Sequence, residues 1–276
     1  MTQRLALMMI VDDVEIASYV SAMGVDRLFM DLEVLGKQER QGHLDTVKST
    51  QSPEIVTRMR EACPDAHILV RVNPWHDGTV AEVNDVVARG ADSVMLPMFH
   101  DAATFAKFAE LLDGRAEAVP LIETVGALSA VPEIVEKYGL ARAHIGLNDL
   151  HLERGDPMMF IPLADGSLDE AAACFVENGI SLGIGGVARA GEGKIPPDVL
   201  LGEHVRLGSS MAILSRTFHR RAQSLKELKS VMDFGSELQK LQAIYSGFLS
   251  AGSDELEENK LKFRSLVADV VVNDEL

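Results

Sequence analysis

Val119-Pro120-Leu121-Ile122-Glu123 and Ala143-His144-Ile145-Gly146-Leu147-Asn148-Asp149 are the stretches that decide the fold. Each is a short apolar run that ends on a carboxylate. A continuous apolar run of this length, bounded by polar residues, reads as a strand buried on both faces, which is the habit of parallel sheets. Working outward, similar runs recur at Ala6–Val11, Arg27–Asp31, Ile68–Val72, Ser93–Pro97, Pro120–Glu123, His144–Leu147, Ser181–Gly185 and His204–Leu207. The segments between them carry a helical period. Thr79–Arg89 sets Val80, Val83, Val86 and Val87 on one face and stops at Gly90, and Ala102–Leu112 repeats the pattern with Phe105, Phe108, Ala109 and Leu112.

Alternation of strand and helix predicts parallel βα units. Eight strands predict an α/β fold of the (β/α)8, or TIM-barrel, type. An open doubly wound sheet is the rival. It commonly carries a glycine-rich turn after its first strand, whereas Val11-Asp12-Asp13-Val14 has no glycine. The barrel is expected over 1–221 and a helical extension over 222–276. In the extension, 222–250 and 254–271 read as two helices flanking Ala251-Gly252-Ser253, apolar enough to cover the barrel bottom or a neighbouring subunit. Residues 156–166 read as an irregular excursion, with Met158-Met159-Phe160 as a lid, a subunit contact or ordinary packing.

The 276 residues carry a formal charge of -16, which disfavours nucleic acid and anionic lipid as partners. At 47% hydrophobic and 5% aromatic, the core has to be built mainly from aliphatic side chains. The two cysteines, Cys63 and Cys174, make no zinc spacing, and a reduced, cytoplasmic setting is expected. The first apolar run, Leu5–Val11, ends in Asp12-Asp13 and reads as a strand, not a signal peptide. No run approaches the ~20 apolar residues of a membrane span.

In a parallel barrel the C-terminal strand ends meet at one mouth, where the chemistry sits. Those ends supply Asp31 and Glu33, Arg71 and Asn73, Glu123 and Thr124, Asn148 and Asp149, and then Gly185-Gly186 with Arg189. Any one of these alone is equally a surface residue or a helix cap. Several carboxylates and one arginine at one mouth call for a cation. Glu123 and Asp149 are hard oxygen ligands suited to Mg²⁺ or Mn²⁺. Such an ion polarises a carbonyl and stabilises an enolate. The planar fork of Arg71 suits a substrate carboxylate, and backbone N–H groups near Asn148 and Asp149 add donors. A Schiff-base route needs a lysine at a strand end. Lys194 lies in a polar loop, and Lys37, Lys48, Lys107 and Lys137 fall in loops or helices. No GxSxG elbow, P-loop or HExxH occurs, and Gly183-Ile184-Gly185-Gly186 is a weak glycine cluster.

Arg71-Val72-Asn73-Pro74, Gly90-Ala91-Asp92-Ser93-Val94-Met95-Leu96-Pro97-Met98, Ile122-Glu123-Thr124 and Gly146-Leu147-Asn148-Asp149-Leu150 follow in order. Together they resemble the HpcH/HpaI aldolase and citrate lyase β-subunit family of the phosphoenolpyruvate/pyruvate barrel superfamily, over roughly residues 4–216. The resemblance implies a metal-dependent barrel handling pyruvate-like enolates. Glu123 and Asp149 look like its metal ligands, Arg71 like its pyruvate-binding arginine, and Asp31-Leu32-Glu33 like its acidic motif after strand two. It also implies assembly as dimers, trimers or hexamers, so a homo-oligomer joined by barrel edges or the C-terminal helices is expected. Pyruvate aldolases of this family place a histidine where this chain has Val34. His43, His76 and His151 are the substitutes for that base, with His76 following strand three. The citrate lyase branch lacks that histidine too. The loop Gly191–Pro197 points to a variant subgroup in which Arg189 and Lys194 could read a second polar group, with Gly186 also at the substrate.

The expected activity is a divalent-metal-dependent carbon–carbon lyase that makes or cleaves an aldol of a 2-oxo acid with an aldehyde. A citryl- or malyl-CoA-type lyase or condensing enzyme, and a non-catalytic barrel for binding or assembly, are the alternatives.

Overall fold

The computed structural model describes residues 4–36, 52–216, 218–219 and 222–274; Lys37, His43 and Lys48 lie outside them. Eight strands, β1 (Ala6–Ile10), β2 (Arg27–Asp31), β3 (His67–Arg71), β4 (Ser93–Leu96), β5 (Glu117–Ile122), β6 (Arg142–Ile145), β7 (Ser181–Val187) and β8 (Ser209–Leu214), form a closed barrel in sequence order. Every pair is parallel, and β8 returns to β1. Among the described residues the helices are α1 (Val14–Ala22), α2 (Glu54–Ala62), α3 (Thr79–Ala88), α4 (Ala102–Leu112), α5 (Val125–Ser129), α6 (Val131–Lys137), α7 (Leu147–Arg154), α8 (Ile161–Ala164), α9 (Asp169–Glu177), α10 (Pro197–Arg206), α11 (Leu225–Val231), α12 (Phe234–Leu249) and α13 (Ser253–Asp274).

Strand alternation divides the apolar residues into two sets. Met8, Phe29, Leu69, Met95, Val119, Leu121 and Met211 fill the barrel interior. Their neighbours along the strands point outward and join one large cluster beneath the helices. The interior plug separates two polar ends. At the N-terminal end His67 meets Ser93 at 2.9 Å, and Arg142 pairs with Glu117.

Two expectations are corrected. His204–Leu207 is not the eighth strand: His204, Val205 and Arg206 end helix α10, and β8 begins at Ser209. Pro197 stands at the first helical turn with Asp198 beside it, both helix-start features. A short apolar run does not by itself tell a helical turn from a strand. Gly208, at φ +68°, turns the chain between the two elements, and a Cβ there would meet Val176 Cγ2 at 2.8 Å. The extension holds three helices, not two, because Asp233 caps a new helix by accepting the Ser236 N–H at 3.1 Å.

Helix α12 is anchored to the start of β1 through Gln242, whose Oε1 accepts the Leu5 N–H at 3.1 Å while its Nε2 donates to the Leu5 carbonyl at 2.6 Å. Tyr245 donates to the Ser209 carbonyl at 3.1 Å. Phe234, Tyr245 and Phe263 are buried in the same outer cluster as the barrel helices. Met158 and Phe160 are buried as well, Phe160 edge-on against Phe263, so ordinary packing accounts for them.

Candidate active site at the C-terminal mouth

The strand register assembles the site. Asp31 is the direct partner of Arg71 across β2 and β3, and Phe29 of Leu69. Since residues two apart share a face, Asp31 sits above Phe29 and Arg71 above Leu69. Arg71 grips Asp31 with two parallel bonds, Nε to Oδ1 and Nη2 to Oδ2, each 2.9 Å. Its Nη2 also lies 3.4 Å from Glu33 Oε2, and its guanidinium carbon stands 5.7 Å above the Phe29 ring. Burial opposes the charge of Arg71. Asp31 and then Glu33 outweigh that opposition and raise its pKa, so this guanidinium stays ionised.

Glu123 directly follows β5 and is buried. Its Oε1 accepts the Met98 N–H at 3.1 Å. Met98 has φ +51°, a left-handed conformation uncommon outside glycine. The loop after β4 is further pinned to β5 by Thr124, which donates its hydroxyl to the Phe99 carbonyl at 2.5 Å and accepts the Ala127 N–H at 3.0 Å as the cap of α5. Gly146 leaves room for Glu123: a Cβ there would lie 2.8 Å from Glu123 Oε2. Burial pushes the Glu123 carboxyl well above the usual carboxylate range. Glu33 and Asp149 push it further, while Arg71 and the Met98 N–H pull back.

Asp149 lies in the first turn of α7, buried, with Asn148 half-buried beside it. No side chain caps that helix, whose cap residue is Gly146, so a first turn of backbone N–H groups opens at the mouth. Asp31, Glu33, Glu123 and Asp149 thus form a buried acidic cluster around one arginine.

The other expected residues have local contacts of their own. His76 is held within its own loop, its Nδ1 2.9 Å from Thr79 Oγ1 and 3.2 Å from the Pro74 carbonyl. His151 is buried, with Nδ1 3.2 Å from the Leu147 carbonyl. Arg189 is buried and gives Nη2 to both oxygens of Glu192 at 2.7 Å. Gly186 pairs with Ile213 in the β7–β8 ladder, where a Cβ would come 3.3 Å from the Ile213 carbonyl. Asn73 accepts the N–H groups of Val34 and Leu35, both at 2.9 Å, and is itself held by Glu82.

Sequence reasoning missed Met98, Gly146 and Phe29. Phe29 was within reach, two residues before Asp31 on the same strand face. No sequence signal marks a methionine for a positive φ.

Among the described residues no group of three or more His, Cys, Asp or Glu is arranged to hold a metal. The donor set nevertheless fits a hard divalent cation. Asp31, Glu33, Glu123 and Asp149 are buried at one mouth, Gly146 spares room at Glu123, and an ion that keeps several waters needs only one or two protein carboxylates. Among the described residues no helix is long and apolar enough to cross a membrane.

No family model and no curated protein matches the sequence. Solved structures do match the fold. An HpcH/HpaI aldolase from Desulfitobacterium hafniense DCB-2 superposes with TM-score 0.59 at 15% identity, covering 84% of this chain and 93% of that one. An HpcH/HpaI aldolase/citrate lyase family protein from Burkholderia cenocepacia J2315 gives 0.61 at 14%, over 83% and 95%. The citrate synthase SbnG gives 0.60 at 16%, over 83% and 94%. The barrel of this chain therefore has the fold of HpcH/HpaI aldolase and citrate lyase family structures.

Proposed function

We propose that the chain is a divalent-metal-dependent carbon–carbon lyase that makes or cleaves the aldol of a 2-oxo acid and an aldehyde. One observation carries this reading: Asp31, Glu33, Glu123 and Asp149 are buried beside Arg71, and burial with Glu33 and Asp149 pushes the Glu123 carboxyl well above the usual carboxylate range. A buried surplus of like charge is costly unless protons or a cation offset it. Glu123 and Asp149 would hold Mg²⁺ or Mn²⁺, which polarises the 2-oxo oxygen and stabilises the enolate.

The protein's own groups divide the remaining work. Asp31 occupies the Nε edge of Arg71 and fixes its plane, so the other edge, Nη1, faces a substrate oxygen. The open first turn of α7 supplies N–H groups for the substrate carboxylate. Glu33, beside both Arg71 and Glu123, takes the proton from the 3-carbon. That assignment answers the loss of a histidine at Val34 without invoking His76, whose Nδ1 contacts lie inside its own loop.

The test is exchange of the pyruvate methyl protons with deuterium oxide. Metal-loaded protein exchanges them, and chelator or Glu123→Gln reduces the rate at least a hundredfold. Exchange that ignores both perturbations, or never occurs with any divalent metal, ends this reading. A citryl-type lyase or condensing enzyme is the second reading, favoured by Val34 itself. Turnover of citryl-CoA or malyl-CoA with no exchange of pyruvate selects it.

A further inference from the structure

The loop after β4 is fastened to the end of β5 at three successive residues. The Met98 N–H reaches Glu123, the Phe99 carbonyl takes the Thr124 hydroxyl, and the His100 carbonyl lies over Gly126, where a side chain would have no room. The next residue, Asp101, caps α4 by accepting the Thr104 N–H at 2.7 Å. The backbone on both sides of His100 is therefore fixed. Its side chain is exposed, and its Nδ1 stands 3.8 Å from Glu153 Oε1. The other oxygen of Glu153 accepts the Val125 N–H at 3.2 Å, at the start of α5.

The position of this pair decides what it can serve. Glu153 follows Asp149 by four residues on α7, so the two share a helix face. His100 follows Met98, the residue that holds Glu123, by two residues, so its backbone lies within about 7 Å of Met98. The imidazole and its carboxylate thus stand one step outward from Glu123 and Asp149, on the C-terminal rim. Glu33 and Glu123 are buried, whereas His100 is open to water and can trade protons with it at each turnover.

An aldol addition needs a proton at a second place. When the 3-carbon of the enolate joins the aldehyde carbon, the carbonyl electron pair moves to the aldehyde oxygen, which has to gain a proton. We propose that His100, oriented by Glu153, gives that proton from Nε2 and takes it back when the aldol is cleaved. The inference rests on the aldolase reading, in which Glu33 removes the proton from the 3-carbon. The proton lost there balances the one gained at the aldehyde oxygen, water resets both groups, and no oxidant or reductant takes part. A carboxylate facing one ring nitrogen leaves the other for substrate. Catalytic hydrogen bonds are often long before substrate binds, which accounts for the 3.8 Å gap.

Two rates test it, both with Mn²⁺. Exchange is measured with pyruvate alone in deuterium oxide, and addition with pyruvate and glycolaldehyde, acetaldehyde or benzaldehyde. A positioned acid contributes about a hundredfold or more, so His100→Ala lowers kcat/KM for addition by about that factor. The exchange half-reaction has no aldehyde oxygen to protonate and keeps its rate. Free imidazole restores addition to the variant in a saturable way. Glu153→Gln, whose amide oxygen still accepts the Val125 N–H, lowers kcat for addition and leaves exchange alone.

Unchanged addition in His100→Ala, an equal loss of exchange and addition, or a loss that imidazole leaves in place overturns the assignment of His100 and leaves the aldolase reading standing. A parent that exchanges pyruvate but condenses none of the three aldehydes overturns the assignment as well. Full addition in Glu153→Gln overturns the orienting role. Absence of exchange in the parent overturns both the assignment and the reading beneath it.

Discussion

A single methyl group at Gly146 tests the geometry of the site. A Cβ there would lie 2.8 Å from Glu123 Oε2, 2.9 Å from Glu123 Cβ and 3.2 Å from Leu121 Cδ1. Unstrained contacts of carbon run to about 3.5 Å or more, so in Gly146→Ala the Glu123 carboxylate retreats by more than about half an ångström. The backbone raises no objection, because Gly146 has φ -91° and ψ 108°, open to alanine. Overpacking costs about 1–3 kcal/mol. The stiffer unfolded chain returns about 0.4–1 kcal/mol. The net loss of stability is then about 1–2 kcal/mol, small for a domain of this size. The effect on a cation is larger in proportion. Disturbing the groups that orient a ligand typically lowers metal affinity about 10–100-fold. The assay is calorimetric titration of Mn²⁺ into parent and variant, with urea unfolding in chelator alongside. Equal Mn²⁺ affinity in a variant that has lost the expected 1–2 kcal/mol would refute the assignment of Glu123 as a ligand.

Glu123→Gln is expected to raise the urea midpoint of the metal-free protein at pH 7. Glu123 titrates above its unfolded value, so its stabilising contribution is present at low pH and is lost as pH rises through the folded pKa. Divalent metal should stabilise the parent and not the variant; a lower midpoint without metal would contradict the expectation. Acid should weaken the fold through two buried histidines. Burial lowers His144 to about 4 and His204 to about 3. The unfolded chain therefore takes up protons below about pH 6.5 that the folded chain refuses, and each histidine removes about 2 kcal/mol between pH 7 and pH 5. Unfolding free energies of His144→Gln across that range should fall less steeply than those of the parent. Asn259→Ala should cost about 1–2 kcal/mol in thermal or urea unfolding, since the buried Asn259 donates to the Val199 carbonyl at 3.0 Å and ties α13 to α10.

Much of the barrel was legible because the physics that makes a buried parallel strand also writes it as an apolar run. β2 was placed residue for residue at Arg27–Asp31, and β3, β4 and β6 to within two residues at either end. The failure at His204–Leu207 has a definite cause. α10 is buried on several sides, with Leu200, Leu201, Glu203 and His204 all covered, so its sequence loses the two-faced pattern that would have marked it as a helix. β8, Ser209–Leu214, opens on two serines and looks too polar for a barrel stave. Ser209 is nevertheless buried and satisfied, its hydroxyl donating to the Leu182 carbonyl at 3.2 Å. At the mouth, the acidic residues and Arg71 could be named from strand ends alone. Their pairing could not: that Asp31 occupies Arg71 follows from the β2–β3 register, which depends on how the whole barrel closes. His76 shows a different limit of strand-end reasoning. A residue five positions past its strand is governed by local bonds, here to Thr79 and Pro74, more than by the strand that precedes it.

The same apolar plug that makes the barrel stable also sets the chemistry of its mouth. Met95, Leu121, Leu69 and Phe29 lie beneath the cluster, so water cannot approach Glu123 from below and its charge is costly. The neighbouring carboxylates add to that cost, since β2, β5 and the start of α7 all deliver acids to one place. Arg71, which lowers that cost, is itself bonded twice to Asp31. Stability alone would not select this arrangement, because replacing the acids by amides of similar shape keeps the packing and removes the repulsion. On the proposed reading a bound cation offsets that stability cost, at the C-terminal rim where a barrel meets its substrate.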